Sequence, residues 1–307
     1  MRSGVGGRWA ARAAAFYSGL YRDPITVNLN VGTQPISGSV LGFASSSSQT
    51  LSYASVRAAL AADATTASDL AAVAGLAPGP ALPIRTNYFA DNPNANRATP
   101  FETSVLNLDV NTANAKALGL RAANDPAQDG LIRFNSNRTF DFDPSDGITT
   151  GSFDFVGIAV HEIGHALGFV SGVDTVDGLA ADTTSTSSSF AFVNTLDLFR
   201  RSGVSESADL TANATAKYLS LDDGATGQNL QFSLGVARGD GRQASHWKDN
   251  LDIGVMDPTI GNGELADFTA NDNFAFDVIG YTPVPEPATL AALSLGALAL
   301  LRRRRKA

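Results

Sequence analysis

Apolar residues recur at Val156, Val160, Ile163, Leu167 and Val170, in steps of four, three, four and three. That is the spacing of one helical face, and it predicts an α-helix from about Phe153 to Phe169 with these five residues toward the core. A different period governs Ile25-Thr26-Val27-Asn28-Leu29-Asn30-Val31, where strict alternation predicts a half-buried strand. Ala-rich sequence predicts helices over Met1 to Tyr21, over 52–62 and over 66–75, with Ser68 and Asp69 as the N-cap signal between the last two. The serine run at 45–50 reads as a loop. A short helix at 111–118 should end at Gly119. Leu131–Phe134 and Thr139–Phe142 read as paired strands around a turn at Asn135-Ser136-Asn137. Beyond the 153–169 helix the pattern predicts a polar loop at 171–189 and a helical stretch from Phe190 to Arg200. A loop-heavy segment with one strand near 230–234 comes after it, then a last helix near 269–279. No internal repeat is present.

Mixed helical and strand signals predict an α+β fold. Pro78-Gly79-Pro80 is the clearest early break. It divides residues 1–80, a propeptide or a part of the main body, from a main domain at 81–282. Residues 283–307 stand apart from both. Val284-Pro285-Glu286-Pro287 breaks regular structure, Ala288 to Leu301 is small and apolar, and Arg302 to Arg305 with Lys306 is basic. Fourteen residues at helical rise make about 21 Å, against roughly 30 Å for a hydrocarbon core. The expectation is therefore a transient sorting segment in the membrane at 288–301, its basic end cytoplasmic.

Composition sharpens the picture at two points. The formal net charge is −8. Residues 285–307 hold five of the 22 cationic and one of the 30 acidic residues, so the body stands at −12. Such a body repels phosphate backbones, which excludes a nucleic-acid partner. Cysteine is absent, which excludes disulfides, thiolate metal sites and thiol nucleophiles and leaves imidazole and carboxylate as metal ligands.

The three histidines are 161, 165 and 246. His161-Glu162-Ile163-Gly164-His165 is an H-E-x-x-H motif inside the strongest predicted helix. Four residues are just over one turn, so both imidazoles lie on one face and can share one zinc ion. Glu162 then sits beside a zinc-activated water as general base. Chance would produce this motif about 5 × 10⁻⁴ times in a chain with so few His and Glu. Gly168 suits a sharp helix end. A catalytic zinc needs three protein ligands, and His246 is the remaining imidazole; by spacing alone it could equally be an ordinary core or surface residue. Met256 is the only methionine besides the initiator, and Asp257-Pro258 after it favours a turn. Taken alone it could simply fill a gap in the core. Asp141 to Ser152 fails as an EF-hand loop, with Asp146 where glycine and Ser152 where glutamate are required.

HEIGHALGF at 161–169, SHW at 245–247 and VMDP at 255–258 together resemble the leishmanolysin-like branch of the metzincin proteases. Leu196-Asp197-Leu198-Phe199-Arg200 is also similar to bacterial members, and the likeness covers roughly residues 150–282. In the long metzincin signature a third His would occupy position 171, which is Ser171 here; this branch displaces that ligand far downstream. The resemblance thus implies zinc ligands His161, His165 and His246, the base Glu162, and a Met-turn at Met256 as a floor beneath the metal. It implies a twisted mixed sheet, an active-site helix and a Met-turn subdomain, with residues 1–80 as propeptide or upper subdomain. It further implies endopeptidase activity on a polypeptide laid along an edge strand. Tyr281 could serve as an oxyanion donor or as a packing aromatic, and Trp247 as pocket wall. Cysteine-switch latency is impossible without cysteine.

The tail resembles a PEP-CTERM sorting signal, which implies an exported, cell-envelope or extracellular protein handled by inner-membrane machinery through residues 285–307. Arg8 and Arg12 interrupt the N-terminus as a secretory leader, and a start site placed downstream of the true leader would reconcile the two ends. Two other functions fit the same motifs: a non-catalytic zinc-binding adhesion protein of the envelope, and a zinc hydrolase of a non-peptide substrate.

Overall fold

The computed structural model describes residues 5–203, 207–222 and 230–285. The chain begins with helix α1 (Val5–Leu20), followed by strands β1 (Leu29–Gln34), β2 (Gly42–Ser46) and β3 (Ser48–Ser52), then helices α2 (Tyr53–Asp63) and α3 (Ala67–Ala74). Next come β4 (Leu82–Thr86), β5 (Phe101–Val105), β6 (Asn107–Asn111), α4 (Thr112–Ala117), β7 (Gly130–Asn135), β8 (Phe140–Asp141) and β9 (Phe153–Asp154). Helix α5 (Phe155–Leu167) leads into α6 (Val173–Gly178), β10 (Arg200–Arg201), β11 (Ala208–Asp209), β12 (Lys217–Leu219), β13 (Gln231–Phe232) and α7 (Ala270–Val278). The architecture is mixed α+β with small sheets.

The sheet that positions the site has the order β1-β7-β2, with β1 parallel and β2 antiparallel to the central β7. Ile132 and Phe134 of β7 are buried toward α5, and β2 packs on α5 as the edge strand. Two of the three strands precede residue 80, and α1 packs directly on α5. Residues 5–80 therefore share one core with the segment after residue 80, and their removal would dismantle this sheet.

Helix α5 forms where predicted. Asp154 caps its N-terminus through Gly157 N–H, and Gly168, at φ +128°, ends it. Its burial is wider than one face. Val156 and Val170 are only partly buried, while Ile158, Ala159 and Ala166 are buried alongside Val160, Ile163 and Leu167. Covered by α1, the sheet and α4, the helix buries apolar residues on more than one side and leaves its polar side to His161, Glu162 and His165.

Other predicted elements shift for identifiable reasons. The strand predicted at 25–31 starts at Leu29, because its partner β7 starts at Gly130. Upstream, Thr26 N–H goes to Ala123 O and Asn28 N–H to the Asp129 carboxylate. The serine run is two strand segments instead of a loop, since Ser45 and Ser46 pair with β7 while Ser48 to Thr50 pair with β6. The N-cap of α3 is Thr66, with Asp69 at N3 completing a capping box.

The hairpin expected at 131–142 does not form. The Asn135 side chain instead bonds Ile36 N–H, Ile36 O and Val40 O, tying the end of β7 to the β1–β2 connection, and β8 pairs with β9. The loop predicted at 171–189 contains α6. The helix predicted at 190–200 shrinks to one 3-10 turn, Leu196–Phe199. There the Asp197 carboxylate accepts Asn194 N–H, taking that donor from a longer helix, and also Gly172 N–H, which ties the segment to the turn before α6. The last helix, α7, is capped by Thr269 with Asp272 as its capping-box partner.

Candidate metal centre

His161 and His165 lie one turn apart on α5, and the chain brings His246 to them from 81 residues beyond His165. The Nε2 of His165 stands 3.0 Å from that of His161 and 3.2 Å from that of His246. Two nitrogens bound at zinc-like distances to one tetrahedral ion stand about 3.3 Å apart. The three rings thus have the spacing of a tripod on a single small cation, and they form the one such His/Cys/Asp/Glu group among the described residues.

The other ring nitrogens decide which atoms face the centre. His161 Nδ1 lies 2.8 Å from Val255 O, His165 Nδ1 2.7 Å from Phe169 O, and His246 Nδ1 3.2 Å from Gln243 O. A carbonyl can only accept, so each Nδ1 donates its hydrogen and each Nε2 carries a lone pair inward. Burial pushes all three pKa values down, His246 to about 3, and the neighbouring histidines lower His165 and His246 further. Three neutral imidazoles aiming lone pairs at one point repel one another unless a cation sits between them. The donor set fits a divalent, nitrogen-preferring ion.

Local sequence explains how each ring is aimed. Gly168 adopts its positive φ as the turning residue of a Schellman end, with Phe169 N–H on Gly164 O and Gly168 N–H on His165 O. This reversal places Phe169 O over His165 Nδ1. Val255 and Met256 sit in a turn closed by Asp257 N–H on Gly254 O. The turn supplies Val255 O to His161 and puts the fully buried Met256 beneath α5. A Cβ at Gly164 would meet Met256 Sδ at 2.6 Å and Tyr17 Oη at 3.0 Å, so only glycine admits this floor. Gly164→Ala is expected to destabilise the chain by about 1–3 kcal/mol, read from chemical denaturation, as buried side chains are forced aside.

His246 is held by the segment around it. Asp174 of α6 accepts Ala244 N–H, Ser245 N–H and the Ser245 hydroxyl, and Ser171 N–H donates to Ser245 Oγ. Arg200 Nη2 donates to Ala244 O, and Ser233 N–H to His246 O. Ser171 is thus a buried anchor for the loop that carries His246. Trp247 is not a pocket wall. It is fully buried, stacked on Phe232, with its Nε1–H on Asp272.

Asp272 was not among the expected site residues. Its carboxylate also accepts Val255 N–H, Met256 N–H and Thr269 N–H, so one side chain pins both the Met256 turn and the Trp247 beside His246. The signal that could have found it is the Thr269-x-x-Asp272 capping pattern. Asp174 had no such signal.

Glu162 is buried on the same helix. The edge strand comes so near that a Cβ on Gly42 would lie 2.9 Å from Glu162 Oε1. Burial raises this carboxyl to about 8 in the metal-free fold. A divalent charge close by favours the carboxylate and opposes that rise. Tyr281 packs: it is buried and donates to Leu167 O, closing the end of α5. The Asp141–Gly147 segment is a turn in which Asp141 and Asp143 accept nearby backbone and hydroxyl donors.

Residues 283–306 match the PEP-CTERM protein-sorting motif. This motif signals export and sorting at the cell envelope, which implies recognition of the tail by a sorting machinery. The membrane segment expected at 288–301 lies outside the described residues, and among those no helix is long and apolar enough to cross a membrane. Neither curated proteins nor solved structures give a match.

Proposed function

We propose that this PEP-CTERM chain is a zinc-dependent endopeptidase of the leishmanolysin-like metzincin type that cuts polypeptides at the cell envelope. The observation that carries the reading is the convergence of three Nε2 lone pairs, each fixed by an Nδ1–H bond to a backbone carbonyl, beside a buried carboxylate with no ligand role. A purely structural site would use a fourth protein ligand and has no need of Glu162. The Met256 turn below the helix and the antiparallel edge strand β2 above it support the same assignment.

His161, His165 and His246 would hold the zinc, which supplies Lewis acidity that makes water nucleophilic near neutral pH and polarises the scissile carbonyl. Glu162 accepts the proton as the water oxygen bonds to the carbonyl carbon. It then delivers that proton to the amide nitrogen as the C–N bond breaks, giving a free acid and a free amine. β2 offers the unpaired side of its ladder to an extended peptide, and Gly42 lets that strand lie close against Glu162.

The test is casein hydrolysis by the purified chain, with metal content measured in parallel. One zinc per chain is expected, with cleavage abolished by a chelator and restored by added zinc. Zinc bound without cleavage of any protein or peptide would overturn the endopeptidase assignment.

A further inference from the structure

The last turn of α7 meets the first turn of α3 through two aspartates that the metal centre does not use. Asp277, only 6% exposed, is the next-to-last residue of α7, and Asp69, 7% exposed, is the third residue of α3. Thr66 joins them. Its Oγ1 accepts Asp69 N–H at 3.0 Å and donates its only hydrogen to Asp277 Oδ2 at 3.0 Å. Asp69 Oδ2 accepts Thr66 N–H at 2.9 Å and Thr65 N–H at 2.8 Å. The second Asp277 oxygen, Oδ1, is buried and has no hydrogen-bond partner. We infer that Asp277 and Asp69 share one proton, and that this acid pair is a pH-sensitive latch between α7 and α3 whose release loosens the support of the Met256 turn. The inference stands apart from the peptidase reading.

Three observations carry it. The first is the orphaned oxygen. A buried acceptor without a donor is costly, and a proton on Oδ1 turns it into a donor for the Asp69 carboxyl within reach. The second is the pair of helix ends. Asp69 faces the amide end of α3, which favours a carboxylate, whereas Asp277 lies at the carbonyl end of α7, which disfavours one. The proton therefore rests on Asp277.

The third is the company of the pair. Asp63 from the end of α2, and Asp23 and Tyr21 from the segment after α1, surround it. Arg22, the cation acting on Asp23 and Asp63, is exposed. Burial and the Asp69 charge raise Asp277 to about 7, against the pull of the Thr66 and Ser68 hydroxyls. Burial, with Asp23 and Asp69, raises Asp63 to about 6. An ionised Asp277 thus meets like charge from α3, and Tyr21, kept neutral by burial, offers it no cation.

Release would reach the centre through α7 itself. Asp272 lies on the same helix, and it accepts Val255 N–H, Met256 N–H and Trp247 Nε1–H. A helix pushed away at Asp277 carries Asp272 with it. The sign follows from the raised carboxyl, about 7 folded against an ordinary 3.8. The latch contributes stability that is complete below 3.8 and is lost as pH rises through 7. An exported chain then responds to the pH of its surroundings.

The experiment compares the full chain with Asp277→Asn, whose amide donates to Asp69 at every pH. Melting temperatures of the two should lie close at about pH 4 and diverge by at least about 3 °C by about pH 8, the variant being higher. Amide hydrogen exchange at each pH, taken as the ratio of the unsubstituted chain to the variant, cancels the intrinsic pH dependence. That ratio should be near one at about pH 5 and exceed about threefold at about pH 8, both at 66–70 and at 253–257. A constant melting difference, or a ratio near one at 66–70, overturns the latch. Faster exchange at 66–70 that leaves 253–257 unmoved overturns its link to the turn, and with it the proposal. Should Asp277→Asn fail to fold, the amide shifts of Thr66 and Asp69 are followed by NMR in the unsubstituted chain. A common midpoint near 7 supports the shared proton, and a midpoint in the ordinary aspartate range overturns it.

Discussion

Glu162→Gln is expected to lower peptide hydrolysis by at least about 10³-fold while leaving zinc content unchanged. The substitution keeps the size and planarity of the side chain, so the close approach of Gly42 is preserved, and it touches none of the three ring nitrogens. What disappears is the ability to take a proton from water. Stability separates this loss from misfolding, and its sign is set by burial. The carboxyl is raised to about 8 in the metal-free fold, against about 4.5 unfolded. A raised carboxyl contributes stability that is complete below 4.5 and is lost as pH climbs through 8, because only the unfolded chain releases its proton in that window. The metal-free Gln variant lacks this penalty. It should therefore gain on the unsubstituted chain steadily between pH 4.5 and 8 in thermal melts. Retained hydrolysis in a zinc-loaded, folded Gln variant would sink the general-base role.

How far the site was legible differs sharply between its parts. The H-E-x-x-H pair could be read because its geometry is local: helical period alone sets His161 and His165 on one face, and Gly168 ends the helix where its backbone freedom suggests. His246 could be named by scarcity and resemblance, but what aims it could not. Ser171 and Asp174 from one segment, Arg200 from a second and Ser233 from a third all reach its loop, and no spacing rule links those three places to His246.

The strand errors have a related origin. Ser45 to Thr50 have a loop-like composition, yet neighbouring strands supply the ladder that makes them β-structure. Asn135 reads as a turn residue and instead clamps the β1–β2 connection, so a local hairpin signal was overridden by distant partners. Phe190 to Arg200 erred the opposite way, where a helical composition lost to the Asp197 carboxylate. Capped helices with their own side-chain signals, α5 and α7, were legible; elements defined by their partners were not.

His246→Ala should weaken zinc affinity by at least about 10³-fold, the largest effect on metal of any single change short of the helix itself. The reason is geometric. His161 and His165 remain 3.0 Å apart on a rigid helix, but two imidazoles leave a tetrahedral ion half open to water. Asp174→Ala makes the instructive comparison. It leaves all three rings in place and removes only the acceptor for Ala244 N–H, Ser245 N–H and Ser245 Oγ–H, so about a 10–100-fold loss is expected, as for residues that orient a ligand. In the metal-free chain the order should invert. His246 is neutral there and its Nδ1 bond is the longest of the three, so its removal is the milder change, whereas loss of Asp174 strands three part-buried donors at once. Zinc titration and metal-free denaturation of the two variants should thus rank them oppositely. That crossing is what a ligand delivered by a structural loop must produce. If both variants lost affinity and stability in parallel, His246 would be one more packing residue, and the three-histidine centre would not stand.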